Sequence, residues 1–217
     1  MEPRTESEMA SSLANQLYVA APAFVRLQQR LRPRVCPFEE LVPEIRNNGG
    51  RLLDFGCGAG LFTMHCVAQG YVESADGVDV NSSTIRIADE ARRSSPDSGR
   101  VQFHSGAIPE GTYDAISMID VMHHLQPSEQ RSMFYDLCDR LAIGGVLVYK
   151  DMCRQPRWQA VANRMHDLVL SRQWIHYLPI EKAIGWAVED LGLELLRRTR
   201  FDYLVYGHEL AVFHKTG

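Results

Sequence analysis

The sequence has no uninterrupted apolar run long enough to cross a bilayer. Its longest, Leu17 to Val25, is broken by Pro22 and falls well short of the roughly 18 residues a spanning helix needs. Met1 to Ser12 mixes acids with Arg4 and has no apolar signal-peptide core, so neither a leader nor a membrane span is expected. Cysteine is scarce and unpaired. The five residues Cys36, Cys57, Cys66, Cys138 and Cys153 are odd in number and lack Cys-Xaa-Xaa-Cys spacing. That argues against a disulfide framework and a thiolate zinc site, so no metal is expected and a reducing cytoplasmic setting fits best. Excess positive charge is also missing. A net charge of -4 gives no general attraction to phosphate backbones, and no nucleic-acid partner is expected. Internal repeats and low-complexity blocks are absent, which leaves an ordinary globular chain.

What is present is enough apolar material, 45% of 217 residues, for one sizeable core. Residues 1–48 read as an N-terminal helical segment. Met1 to Ser12 is expected to fray, Leu13 to Leu31 to form two short helices broken at Pro22 and stopped at Pro33, and Phe38 to Arg46 to form a further helix interrupted at Pro43. Asn47-Asn48-Gly49-Gly50 is a strong stop.

From residue 49 to 217 short β-like runs alternate with helical stretches, the pattern of an α/β domain with an open, mostly parallel sheet. The expected strands are Arg51 to Phe55, Ser74 to Val80, Val101 to His104, Tyr113 to Ile119 and Gly145 to Asp151. The expected helices are Leu61 to Gln69, Ser82 to Arg93 and Ser128 to Leu141, whereas His104 to Thr112 is too short and too rich in glycine and proline. After Asp151 come helical stretches at Trp158 to Gln173 and Ile180 to Leu191. Two last strands, Leu193 to Val205 and Glu209 to His214, flank a turn-like Tyr206-Gly207-His208 and suit an antiparallel hairpin at the sheet edge. The sum is about seven strands.

The chemistry starts at Asp54-Phe55-Gly56-Cys57-Gly58-Ala59-Gly60, an apolar strand entering a turn with glycine at alternate positions and then a helix. Such a turn lets backbone approach a ligand, and the free amides of the helix start point toward it. The dinucleotide fingerprint needs its third glycine at position 61, which is Leu61, so no pyrophosphate cradle is spelled. A carboxylate at Asp54 would repel a diphosphate but suits a ligand carrying an ammonium and a sulfonium. About 20 residues further on, Asp79 closes the next strand where an acid can accept both ribose hydroxyls.

On these residues the sequence resembles the class I S-adenosylmethionine-dependent methyltransferases, most closely the small-molecule enzymes with an Asp-Xaa-Gly-Xaa-Gly-Xaa-Gly turn. The resemblance covers Arg51 to His214. It implies a doubly wound, Rossmann-like seven-stranded sheet with an antiparallel last strand, helices on both faces and the N-terminal segment as a lid. It implies S-adenosyl-L-methionine as cofactor. Asp54, Gly56, Cys57, Gly58 and Gly60 would surround the methionine portion, Asp79 would hold ribose and Val80 would pack on adenine. The family often carries an aspartate after its third strand, but Phe103-His104-Ser105-Gly106-Ala107-Ile108 has none, so adenine recognition falls to backbone at Gly106 and Ala107. Tyr113 to Leu125 matches the fourth-strand motif, with Met118 and Ile119 joining the cofactor set.

Methyl transfer from a sulfonium is an in-line displacement, so a base is needed only when the acceptor must lose a proton. His123 and His124 follow the fourth strand and are the catalytic candidates, His124 the favoured one. The alternative for both is loop packing. Tyr18, Asp151, Trp174, His176 and Tyr177 are the substrate-side candidates, with aromatic rings suited to walling an apolar or aromatic acceptor. Trp158 and Trp174 read equally as helix core, Asp151 as a helix cap and Tyr18 as helix packing.

Lys150, Arg154, Arg157 and Arg164, with Arg26, Arg30, Arg32 and Arg34, suggest an anionic acceptor or one bound to an acidic carrier protein. Two other readings stay open: a nicotinamide-dependent oxidoreductase, which Leu61 and Asp54 oppose, and a non-catalytic adaptor that binds S-adenosylmethionine. The acceptor and the oligomeric state are not written in the sequence.

Overall fold

The computed structural model describes residues 4–152, 176–203 and 206–217. Two compact units divide the chain, Met1–Ala115 and Ile116–Gly217.

The first unit opens with α1 (Glu6–Leu17), where fraying was expected. A reciprocal cap holds it: Thr5 Oγ1 accepts from the Glu8 amide at 3.2 Å and the Glu8 carboxylate accepts from the Thr5 amide at 3.0 Å. Further along the same helix face Ala10, Ala14 and Leu17 are buried. The chain breaks at Pro22 as expected and re-enters α2 (Ala23–Val35), which runs through Pro33 rather than stopping there. Proline withholds only its own N–H, so the helix runs two residues beyond it and closes through Cys36 N to Arg32 O at 2.9 Å. Phe38–Glu40 makes one 3-10 turn, and Pro43 lies in the first turn of α3 (Val42–Asn48), starting a helix where an interruption was expected.

The parallel strands follow: β1 (Arg51–Phe55), β2 (Ser74–Asp79) and β3 (Val101–Ser105), with Arg51 opposite Ser74 and Ala75 opposite Val101. From Leu52 to Phe55 β1 is buried and apolar apart from Asp54, as a strand covered on both faces needs. Between strands lie α4 (Leu61–Ala68), buried from Leu61 to Val67, and α5 (Ser82–Arg93), capped by Asn81 Oδ1. Asp76, buried in β2, accepts from the Arg51 guanidinium at 2.7 Å and pairs with His104 Nε2 at 2.7 Å, crosslinking β1, β2 and β3.

The second unit takes up the chain within β4 (Tyr113–Ile119) and continues through α6 (Pro127–Asp139) to β5 (Leu141–Met152). β5 begins four residues before Gly145, the start expected from the sequence. Gly144 donates to Lys215 O at 2.8 Å, so the end of the chain pairs with the glycines and extends the strand. Lys215 Nζ also caps α6, donating to Cys138 O and Leu141 O at 3.0 and 2.8 Å.

The helix expected at Trp158 to Gln173 lies outside the described residues. α7 (Ile180–Gly185) continues as a wider π-turn, Trp186–Asp190, and leads to β6 (Glu194–Tyr203) and β7 (Tyr206–His214). The turn expected at Tyr206-Gly207-His208 is strand instead, with Asp202 opposite Gly207 and Phe201 opposite His208. The sheet has seven strands in the order β3-β2-β1-β4-β5-β7-β6, with β7 antiparallel to both neighbours.

Candidate active site

Ligand sites of open α/β sheets lie at the carboxyl ends of their strands. In the first unit that end of β1 is the glycine turn. Gly56 and Cys57 donate to Val78 O at 2.8 and 3.1 Å, so the bend is pinned to β2. The Gly58 amide donates to Asp79 Oδ2 at 3.0 Å, while Asp79 Oδ1 accepts from Asn81 N at 2.8 Å. Each carboxylate oxygen has a second lone pair, enough for the two hydroxyls of a ribose. Gly58, with φ 55°, has open space where a side chain would stand.

Gly60 shows the opposite. With φ 84°, a Cβ there would stand 2.3 Å from Phe103 Cζ, and one on Gly77 would stand 2.6 Å from the same ring. The Phe103 ring on β3 therefore fits beneath the turn only because both positions lack side chains.

Asp54 is buried and accepts from Thr63 Oγ1 at 2.6 Å, a bond from the first turns of α4 that fixes the carboxylate at the strand end. The Cys57 thiol is pushed well up by burial and then by Asp54 and Asp79. The turn thus carries negative potential, which fits an ammonium and a sulfonium and opposes a diphosphate. Val80 stands 79% exposed just past Asp79, an apolar side chain without cover, as an adenine-stacking residue needs to be. Gly106 spends its amide on Asp79 O at 3.0 Å, so of the pair expected to meet adenine only Ala107 has its amide left for a ligand.

Tyr18, at the end of α1, is buried and donates to Ala59 O at 2.5 Å. Burial pushes its phenol well up, so it stays a donor. The side chain thus clamps the glycine turn.

In the second unit the carboxyl ends of β4 and β5 carry two charge pairs. Lys150, fully buried, donates to both Asp120 oxygens at 2.7 Å, and the Asp120 amide returns to Lys150 O at 2.9 Å. Asp120 takes φ 54°, and no other described non-glycine residue has positive φ. A strained backbone at such a place is held by its surroundings, here by the lysine. One step further, His123 Nδ1 pairs with Asp151 Oδ1, both groups buried. Asp151 Oδ1 also accepts from Met152 N at 2.8 Å, while Oδ2 is buried with no partner. The Tyr149 phenol is pushed well up by burial and by Asp151, and its hydroxyl is likewise without a partner.

His124 is exposed, its ring centroid 4.1 Å from that of His123. His176 donates its amide to His123 O at 2.8 Å, and Gln130 Nε2 joins Met122 O and His176 O at 3.0 and 2.8 Å, so the backbone of half-buried His176 is tied to the histidine loop, with half-buried Tyr177 next in the chain. Met118 and Ile119 are buried core of β4. Trp174, with Arg154, Arg157 and Arg164, lies outside the described residues. Among the described residues no cluster of three or more possible metal ligands forms, and no helix is long and apolar enough to cross a membrane.

Residues 27–198 match the model of the methyltransferase domain family. The chain belongs to that family. This methyltransferase is 27% identical over 141 residues to a ribosomal protein L11 methyltransferase of Neisseria meningitidis, a match covering 64% of this chain and 43% of the relative. The match to an uncharacterised Synechococcus protein, 28% identical, covers 48% of this chain and 26% of the relative, so the chain spans less than half of these relatives' length.

Among solved structures it is similar to the N-methyltransferase NodS from Bradyrhizobium japonicum with S-adenosyl-L-homocysteine. The TM-score is 0.62 at 20% identity, over 96% of this chain and 99% of that one. It is similar also to the magnesium protoporphyrin IX methyltransferase of Synechocystis with the same bound nucleoside, with TM-score 0.68, 16% identity and coverage of 94% and 93%. At these identities the likeness speaks for fold. The family match makes this chain a methyltransferase domain and speaks against the nicotinamide reading.

The sequence reading missed three supports: Thr63 behind Asp54, Phe103 beneath the glycines, and the Asp120–Lys150 pair. Asp120 stood within the fourth-strand motif and Lys150 among the basic residues, but nothing in their spacing joined them. Phe103 carried no signal at all.

Proposed function

We propose that this methyltransferase acts on a small-molecule acceptor of apolar or aromatic character whose nucleophile is a hydroxyl or amine that must lose a proton. One observation carries the reading: a buried carboxylate–imidazole pair, Asp151–His123, at the carboxyl ends of β4 and β5. Aspartate at Nδ1 sets the tautomer of the ring and would stabilise an imidazolium formed by a proton taken up at Nε2. His123 therefore takes the role for which the sequence favoured His124. His176, tied to the same loop through its backbone, and the adjacent Tyr177 would wall the acceptor. Lys150 is neutralised by Asp120, so it offers no anion site.

In this reading Asp54, Gly56, Cys57 and Gly58 hold the methionine portion of the cofactor, Asp79 its ribose and Val80 and Ala107 its adenine. The cofactor, when bound, supplies a methyl group activated by its positive sulfur. The chain's own contribution is to place the acceptor, keep water out and take the proton at His123.

The test is labelled methyl transfer to a panel of phenolic, hydroxylated and amine acceptors, followed by kinetics of variants on whichever is methylated. His123→Ala is expected to lower kcat by about 10²–10⁴-fold. Asp151→Asn should lower it too and shift the pH profile, with S-adenosylhomocysteine affinity unchanged in both. A collapse in His124→Ala with His123→Ala intact would move the base to His124.

A further inference from the structure

The helix α2 is built inside out. Its buried positions are Gln29 and Pro33, while Phe24, Leu27 and Leu31, one stripe at helical spacing, are 64%, 55% and 39% exposed. Val19, in the turn before it, is 67% exposed. The helix has four arginines and no acid in a chain of net charge -4. Arg26, Arg30 and Arg34 recur every four residues beside the apolar stripe, exposed, and none has an ion-pair partner among the described residues. Arg32 lies on the other flank. An apolar ridge bordered by cations is the composition of a helix that lies in a membrane interface.

A second feature of the same helix points the same way. Arg30 and Arg34 line a polar cleft of about 280 Å³ whose other wall is Ser7, Ser11, Ser12 and Asn15 of α1. Ser7 Oγ donates to Pro33 O and Glu39, and Ser11 Oγ to Arg30 O, so the two guanidinium groups, with Ser12 and Asn15, are what suits a phosphodiester there. Glu8 also lines the cleft, but its carboxylate is engaged by the Thr5 amide.

We infer that α2 docks this methyltransferase onto an anionic phospholipid surface. Phe24, Leu27 and Leu31 enter the headgroup layer, and Arg30 and Arg34 receive a lipid phosphate in the α1–α2 cleft. A protein partner fits less well. Spaced cations beside an apolar stripe suit a fluid anionic interface, which takes them without the shape matching that a protein partner's anchoring side chains need. The docking is peripheral, and it brings the enzyme to acceptors that partition into lipid.

The experiment is flotation of the full chain with vesicles of phosphatidylcholine alone and of phosphatidylcholine mixed with phosphatidylglycerol, at low and physiological ionic strength. Binding at least ~10-fold tighter to the anionic vesicles is expected, weakening with salt. The double variant Phe24→Ser/Leu27→Ser should lose binding to both. Arg30→Glu/Arg34→Glu should lose only the preference for phosphatidylglycerol. Unchanged affinity for S-adenosylhomocysteine would show that both variants are folded, since none of these positions belongs to the proposed site. No binding, equal binding to the two vesicle types, or indifference to both variants would overturn the inference. So would retention on immobilised polyglutamate without vesicle binding, which would give the surface to an acidic protein.

Discussion

The glycine turn after β1 and the histidine loop after β4 are both short connections at the carboxyl ends of strands, but they are built from different materials. The turn is a backbone device. Amides of Gly56, Cys57 and Gly58 are fixed on Val78 O and Asp79, and side chains are excluded where Phe103 fits. The loop is a side-chain device, in which two charge pairs, Asp120–Lys150 and Asp151–His123, hold a strained backbone and a buried ring. The first kind of site fails by steric intrusion and the second by loss of a charge partner.

Lys150→Met should therefore have the largest effect on stability. Removing the ammonium from this pair takes away the charge that Asp120 faces, and a loss of about 3–5 kcal/mol is expected in urea denaturation. Adding Asp120→Asn should recover much of it, because no lone charge then remains; failure to recover would mean that the left-handed backbone, not the charge, is what Lys150 supports.

Gly60→Ala is expected to cost about 2–4 kcal/mol, from strain at φ 84° together with overpacking against Phe103. Pairing it with Phe103→Leu should help little, since the backbone strain stays, whereas Gly77→Ala, with no such φ, should be largely rescued by Phe103→Leu. Equal rescue at both glycines would blur the comparison.

The smallest effect belongs to Tyr18→Phe. It removes one hydrogen bond to Ala59 O and should cost about 0.5–1.5 kcal/mol while loosening S-adenosylhomocysteine binding a few-fold, measured by calorimetry.

The same contrast explains what could be read in advance. The turn was legible residue by residue because glycine at alternate positions and an acid one strand later are local signals, and the alternation of strand and helix placed β1 to β4 within a residue or so. The charge pairs join residues about thirty positions apart, and no local pattern announces a partner at that range. Boundaries failed where a distant segment intervened. Lys215 extends β5 back to Leu141, and Tyr206 to His208 read as turn residues until pairing with β5 and β6 made them strand. At the N-terminus Thr5 and Glu8 spelled a capping box that the acidic composition masked, and Pro33 was read as a stop although a proline near a helix end costs the last turn little.

The central claim is that the turn between Asp54 and Gly60, with Asp79, is the cofactor site. Calorimetric titration of S-adenosylhomocysteine into the native chain and into Asp79→Ala tests it most directly. Micromolar affinity in the native chain and at least ~10-fold weaker binding in the variant, about 1.4 kcal/mol, is the expected result. A native chain that binds none, or a variant that binds as tightly as the native chain, would contradict it.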